Sequence, residues 1–342
     1  MCILLAGGGQ ESLLSEVGSQ YLLPLFTTRD ACALRLVCRE FLAAVTEQPW
    51  EDAETVIHGS LAAWRASFPR ARCANVSECT WQGSCRTPLL DADFVHLQSL
   101  RALDMSGCSL VTDAAFAHLR GIHTLDMSGC WQDSITDAAF AHLRGIHTLD
   151  MGGCEQDTIT DAAFAHLRGV HTVTMRFCVQ AGITDAAFAH LRGVHTLDMS
   201  GCSQVGVSDA AFAHLAGVHT LLLSSCDQDT ITDAAFAHLA GVHTLDVAGC
   251  YQAGVTDAAF AHLRGVHTLD MSGCVQAGVT DAAFAHLASV RELTVCYSSA
   301  AITGAGFAGL GRGAARLTVS DRGLRDAAVA AGLAARFESY GE

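Results

Sequence analysis

A 24-residue unit, repeated with little change through most of the chain, constrains this sequence more than any other feature. One copy runs from Leu149-Asp150-Met151-Gly152-Gly153-Cys154, through Ile159-Thr160-Asp161-Ala162-Ala163-Phe164-Ala165-His166-Leu167, to Val170-His171-Thr172. Its leading leucine or an apolar substitute recurs at Leu103, Leu125, Leu149, Val173, Leu197, Leu221, Leu245, Leu269 and Leu293, with a first step of 22 residues and a looser copy at Leu317. A fixed period of this length predicts a solenoid, in which each unit packs on its neighbours. A single copy has too few apolar side chains to offset the entropy of ordering it, so stacking is a condition of folding.

Inside the unit the apolar period changes. Thr148-Leu149-Asp150-Met151 alternates polar and apolar, which predicts a short strand. Asp161 to Leu167 predicts a short helix, with Asp161 as its cap, Phe164 and Leu167 on one face and Gly169 as its stop. Strands then stack into a parallel sheet on one side, with helices on the other.

The spaced residues Leu143, Ile146, Leu149, Met151 and Cys154, followed by Ile159-Thr160-Asp161, resemble the leucine-rich repeat of the cysteine-containing subtype. The resemblance covers about residues 89 to 318, although Phe164 stands where that subtype has leucine and the units are slightly short. It implies an α/β solenoid with a parallel sheet on its concave face and short helices on its convex face.

The formal charge of −15 argues against a nucleic-acid partner, which would need clustered Lys and Arg, and fits a basic or neutral protein better. The opening Met1-Cys2-Ile3-Leu4-Leu5-Ala6 has no basic lead, and no run reaches 18 apolar residues, so neither a signal peptide nor a membrane span is expected. Of the 15 cysteines, eight (Cys108, Cys130, Cys154, Cys178, Cys202, Cys226, Cys250 and Cys274) share one slot of the repeat. Equivalent Cβ vectors run parallel, so buried reduced thiols are expected, as in an intracellular, cytoplasmic or nuclear protein.

Ahead of the repeats the text changes. After a tail at residues 1–12, residues 13–50 carry a helical pattern in which Leu34, Val37, Cys38 and Phe41 follow helical spacing and Asp30 stands where a cap would. Leu13, Glu16 and Val17, then Arg29-Asp30, then Leu36-Val37-Cys38-Arg39 with Phe41, and finally Trp50, resemble an F-box. Leu14 stands where that pattern has proline, and Pro24 interrupts the first expected helix. The resemblance implies recruitment of the adaptor of a cullin-type ubiquitin ligase, with Leu13, Glu16, Val17, Leu36, Val37, Cys38 and Phe41 at the contact. Residues 51–74 read as a helical connector, 75–320 as the solenoid with an irregular first strand at Val76 to Trp81, and 321–342 as a closing helix (Arg322 to Phe337) and tail.

Sixteen of the 17 histidines fall in two columns, typified by His166 and His171, beside the cysteine column. A zinc site needs ligands that converge on one point, whereas a repeat sends equivalent side chains along parallel vectors. A catalytic thiolate needs an accessible, electropositive setting that buried ladder thiols lack. No metal, cofactor or enzymatic activity is therefore expected, and the histidines and the Gln column (Gln132 to Gln276) read as structural hydrogen-bonding groups.

The carboxylate column is the stronger binding candidate. Asp104, Asp126, Asp150, Asp198, Asp246 and Asp270 alternate with inward residues and are expected on the concave face, where neighbours about 5 Å apart repel by roughly 1 kcal/mol even in water. Thr174 and Leu222 interrupt the column, and Arg176, Phe177 and Ser225 replace residues of the usual Ser-Gly pair. A uniform surface cannot fix where a partner sits along it, so these deviant positions, with Trp131 and Tyr251, form the expected recognition patch. Drift among duplicated units is the competing account. The expected function is non-enzymatic: an F-box-like module recruiting the ligase adaptor and cullin complex, and a solenoid holding an unknown target protein. The alternative is an interaction scaffold whose N-terminal helices only cap the solenoid.

Overall fold

In the computed structural model, described for residues 23–37, 39–77, 88–297, 299–310, 316–320, 322–333 and 335–337, twelve strands join one sheet in chain order. All the pairings are parallel, and equivalent residues of successive units lie side by side, so that Leu149 pairs with Leu125 and Val173. The first strand is Cys73–Asn75, ahead of the expected Val76 to Trp81, whose residues 78–81 lie outside the described residues, and the last is Ala335–Phe337. In each full coil a three-residue strand such as Thr148–Asp150 is followed by a turn and then a short helical segment such as Asp161–Phe164. The fold is an α/β leucine-rich-repeat solenoid.

The core is one column per repeat position. Leu149, Met151, Cys154, Ile159, Ala163, Phe164 and Leu167 are buried, as are their counterparts along the stack. The thiols are reduced and point into the interior. Cys154 Sγ donates to the carbonyl of Met127 at 3.3 Å, and Cys250 Sγ to that of Leu223 at 3.1 Å. Burial pushes the thiols of Cys202, Cys250 and Cys274 up to about 12, which keeps them protonated and inert. The Gln column follows a similar rule: Gln156 Nε2 donates to the Cys130 carbonyl at 3.1 Å and Gln252 Nε2 to that of Cys226 at 2.7 Å.

Several local expectations need correction. Asp161 is not the helix cap: Thr160 is, its hydroxyl accepting from the Ala162 amide at 3.3 Å. The Asp161 carboxylate reaches the next coil instead, accepting from the Thr184 amide and hydroxyl at 2.7 Å each. The same bidentate rung recurs at eight successive coils with all distances 2.7–2.8 Å. The helical segment also ends at Phe164. Leu167 still reaches the core because its amide donates to Phe164 O, turning the chain inward.

At the N-terminal end, the expected single helix through Leu34 and Phe41 is two, Thr28–Leu34 and Arg39–Glu47, separated by a turn at residues 35–37. Thr27 caps the first, and Asp30 closes a capping box from its first turn. At the other end, the expected closing helix spans only Arg322–Ala330, and Ala335–Phe337 pairs with Leu317–Val319 as the twelfth strand. The edge of a parallel sheet has unpaired backbone groups, and this segment covers them.

Candidate functional site

The strand face is built by alternation. Leu149 and Met151 turn inward, so Thr148 and Asp150 between and before them face out. Register then aligns Asp104, Asp126 and Asp150, followed by Thr174, Asp198, Leu222, Asp246 and Asp270, in one column across the sheet.

These carboxylates are less free than an exposed stripe would be. In all six, Oδ1 accepts from the backbone amide two residues on, at 2.8–3.0 Å, closing the turn that leaves the strand. Five are half-buried and Asp198 is buried. Burial pushes the carboxyls of Asp150 and Asp246 above the usual value, and neighbouring carboxylates push the same way. Apart from Asp198, whose second oxygen is taken by Arg176, each Asp therefore offers a partner its second oxygen, within a column that already repels itself.

The two interruptions differ. At Leu222 a half-buried apolar side chain lies between Asp198 and Asp246. At Thr174 the change extends along the turn: the exposed Arg176 guanidinium is paired with the buried carboxylate of Asp198. Phe177 next to it is 61% exposed and has φ +56°, a left-handed conformation that costs an L-residue energy. The same slot holds glycine at Gly129, Gly153, Gly201, Gly249 and Gly273, all with positive φ. The Phe177 ring lies over Gly201, where a Cβ would overlap it. Ser225 and Tyr297 occupy the slot too, with φ +57° and +54°. Tyr297 is exposed, and the sequence reading missed it because Cys296 precedes it out of step with the cysteine ladder. Trp131 and Tyr251 are also exposed, each one residue beyond a buried cysteine.

The N-terminal module presents a second apolar surface. Leu36 and Val37 in the interhelical turn are 81% and 63% exposed, and Phe41 is half-buried. Leu13, Glu16, Val17 and Cys38 lie outside the described residues. The module is fixed to the solenoid through Trp50, Trp64 and Phe68, whose rings pack together below it. Arg65 donates to the carbonyls of His96, Gln98 and Ala71 at 2.7–3.1 Å, joining the helix Leu61–Ser67 to the first coil. Among the described residues, no group of three His, Cys, Asp or Glu side chains is placed to hold a metal ion. None of the helices described is long and apolar enough to cross a membrane.

Neither a family model nor a curated protein sequence matches the chain. Solved structures do. Toll from Drosophila, in complex with Spatzle, aligns over 77% of this chain and 35% of its own with 16% identity and a TM-score of 0.59. TLR13 in complex with ssRNA13 aligns over 74% of this chain and 40% of its own with 17% identity and a TM-score of 0.54. The chain thus spans well under half the length of these leucine-rich-repeat proteins, and at this identity the likeness is one of fold.

Proposed function

We propose that the chain is a non-enzymatic capture subunit: the concave strand face holds a target protein with a basic contact segment, and the N-terminal module recruits the adaptor of a cullin-type ubiquitin ligase. The observation that carries the capture half is Phe177. A bulky side chain held exposed in a left-handed slot that neighbouring coils fill with glycine, beside Arg176 in a gap of the carboxylate column, supplies an anchor at one defined register. The remaining Asp oxygens and the overall charge of −15 favour a basic protein over RNA. Target contact is assigned to Asp104, Asp126, Asp150, Thr174, Arg176, Phe177, Asp198, Leu222, Asp246 and Asp270.

Leu36 and Val37, solvent-facing at the F-box-like Leu-Val-Cys-Arg stretch, support the adaptor half. The test is calorimetric titration of the full chain with purified adaptor. Binding lost in Leu36→Asp supports the reading; absence of binding by the unaltered chain refutes it. The scaffold reading is favoured by a separate observation, the Trp50, Trp64, Phe68 and Arg65 contacts that dock the module on the first coil. It predicts target capture without any adaptor binding. For capture, pull-down from cytosol by the full chain and by Phe177→Gly is compared; a target retained equally by both removes the anchor.

A further inference from the structure

The residue that precedes each strand forms a structure that the capture reading does not use. His123, His147, His171, His195, His219, His243 and His267 lie one above another where successive strands begin. Successive ring centroids are 4.4–4.6 Å apart and interplanar angles 9–26°, so all seven stack as one continuous rail. The backbone sets this spacing, because each His amide donates to the carbonyl of the His one coil earlier, as His147 does to His123 O at 2.9 Å. Arg101 and Arg291 fill the equivalent slot at the two ends, linked by the same amide-to-carbonyl bonds.

The groups around the rail determine its response to protons. Nδ1 of His123, His147, His171, His195 and His243 lies 3.2–3.3 Å from the hydroxyl of the threonine that follows. Three residues further on, the strand carboxylates such as Asp126 and Asp150 turn Oδ1 to their own turn amides. Three residues upstream, Arg120, Arg144 and Arg192 are engaged with the convex histidines His142, His166 and His214 at 3.1–3.3 Å. No ion pair joins a rail histidine to a carboxylate among the described residues. The rail therefore runs between two permanent cations, with no ion pair among the described residues to balance charge on it.

We propose that the rail is an acid-sensing element of the solenoid, stacked while its rings are neutral and destabilised by mutual repulsion of stacked imidazoles once neighbouring rungs take up protons. At this spacing a charged neighbour disfavours protonation of the next ring even at the dielectric of water. His147, His195 and His243 are accordingly pushed below the ordinary value by loss of solvation and then by the rings on either side. An unfolded chain has isolated histidines that protonate first, so the rail's stability is full above about pH 6.5 and falls as pH drops through the lowered values.

The test is an NMR titration of the imidazole Cε1–Hε1 signals of the full chain between about pH 8 and pH 5, on wild type, His171→Gln and, as a control on the convex column, His166→Gln. The rail is expected to titrate over a broad range, and His171→Gln to raise the values of His147 and His195, the two rings it separates, while His166→Gln leaves them unmoved. Raising salt on the unaltered chain at about pH 5.5 should raise the rail's values and its melting temperature, an outcome independent of how any variant folds. Seven rings that titrate together at the ordinary value, unaffected by salt, overturn the proposal.

Discussion

Two columns of aspartate run the length of this solenoid with the same period, and they do different things. On the convex side, Asp137, Asp161 and their equivalents use both carboxylate oxygens on the next coil's Thr or Ser, at eight successive rungs. On the concave side, Asp150 and its equivalents use one oxygen on their own turn, and the column is broken at Thr174 and Leu222. Identical residue type and spacing thus yield a staple between coils in one place and a partly available surface in the other. The bond partner, 23 residues away in one case and two in the other, makes the difference.

The sharpest way to break that comparison is to remove one residue from each column. Asp161→Ala leaves the Thr184 amide and hydroxyl without their charged acceptor, with an expected cost of about 2–3 kcal/mol. Asp150→Ala removes one turn bond but also a carboxyl that burial and its neighbours already disfavour, for a change of about 0–1 kcal/mol. Urea midpoints of the full chain measure both. Equal losses would mean that the two columns are energetically alike.

Protons should separate the columns next, with opposite signs. Burial alone would raise the Asp281 carboxyl on the convex side, but hydrogen bonds from Thr303, Gly306 and Gly304 outweigh it and hold it below the usual value. Its contribution is present above about pH 3.8 and is lost as pH falls through the lowered value. Asp150 and Asp246 have raised values, so they weaken the fold near neutral pH and stop doing so as pH falls through those values. The double variant Asp150→Asn, Asp246→Asn should therefore be more stable than wild type at pH 7 and lose that advantage by about pH 4. Asp281→Asn should be less stable than wild type at neutral pH and approach it in acid. Melting curves across that range decide the signs.

The comparison also shows what could be read from the letters. Alternation in Thr148 to Met151 and the spacing of Phe164 and Leu167 located strand and core, because those side chains answer to a period inside one unit. Asp161 was misplaced because Thr160 and Asp161 are both good caps by local rules, and the contact that separates them lies in the next coil. Leu34, Val37 and Phe41 matched a helix, yet Leu36 and Val37 sit in an exposed turn, since spacing alone does not reveal that a chain bends. Ala335–Phe337 became a strand because a sheet edge was available to it. On the strand face, register and the two interruptions were legible. The turn bonds of the carboxylates and the left-handed backbone of Phe177 were not, since both depend on the angle at which the chain leaves the strand.

The smallest expected effect probes the interruption itself. Phe177→Ala keeps a β-carbon at φ +56° and removes the ring from above Gly201, so it should cost up to about 1 kcal/mol. Phe177→Gly loses the same ring but regains the residue type that Gly153 and Gly201 use at that angle. Relief of roughly 1–2 kcal/mol of left-handed strain is offset in part by about 0.5–1 kcal/mol of extra chain entropy in the unfolded state. The glycine variant should thus be the more stable of the two by about 0.5–1 kcal/mol and lie within about 1 kcal/mol of wild type. If the alanine variant is equally stable, the slot imposes no strain and Phe177 is one more substitution among duplicated coils. If the glycine variant is the more stable and yet loses the captured protein, Phe177 keeps a conformation that folding opposes, and binding is what retains it.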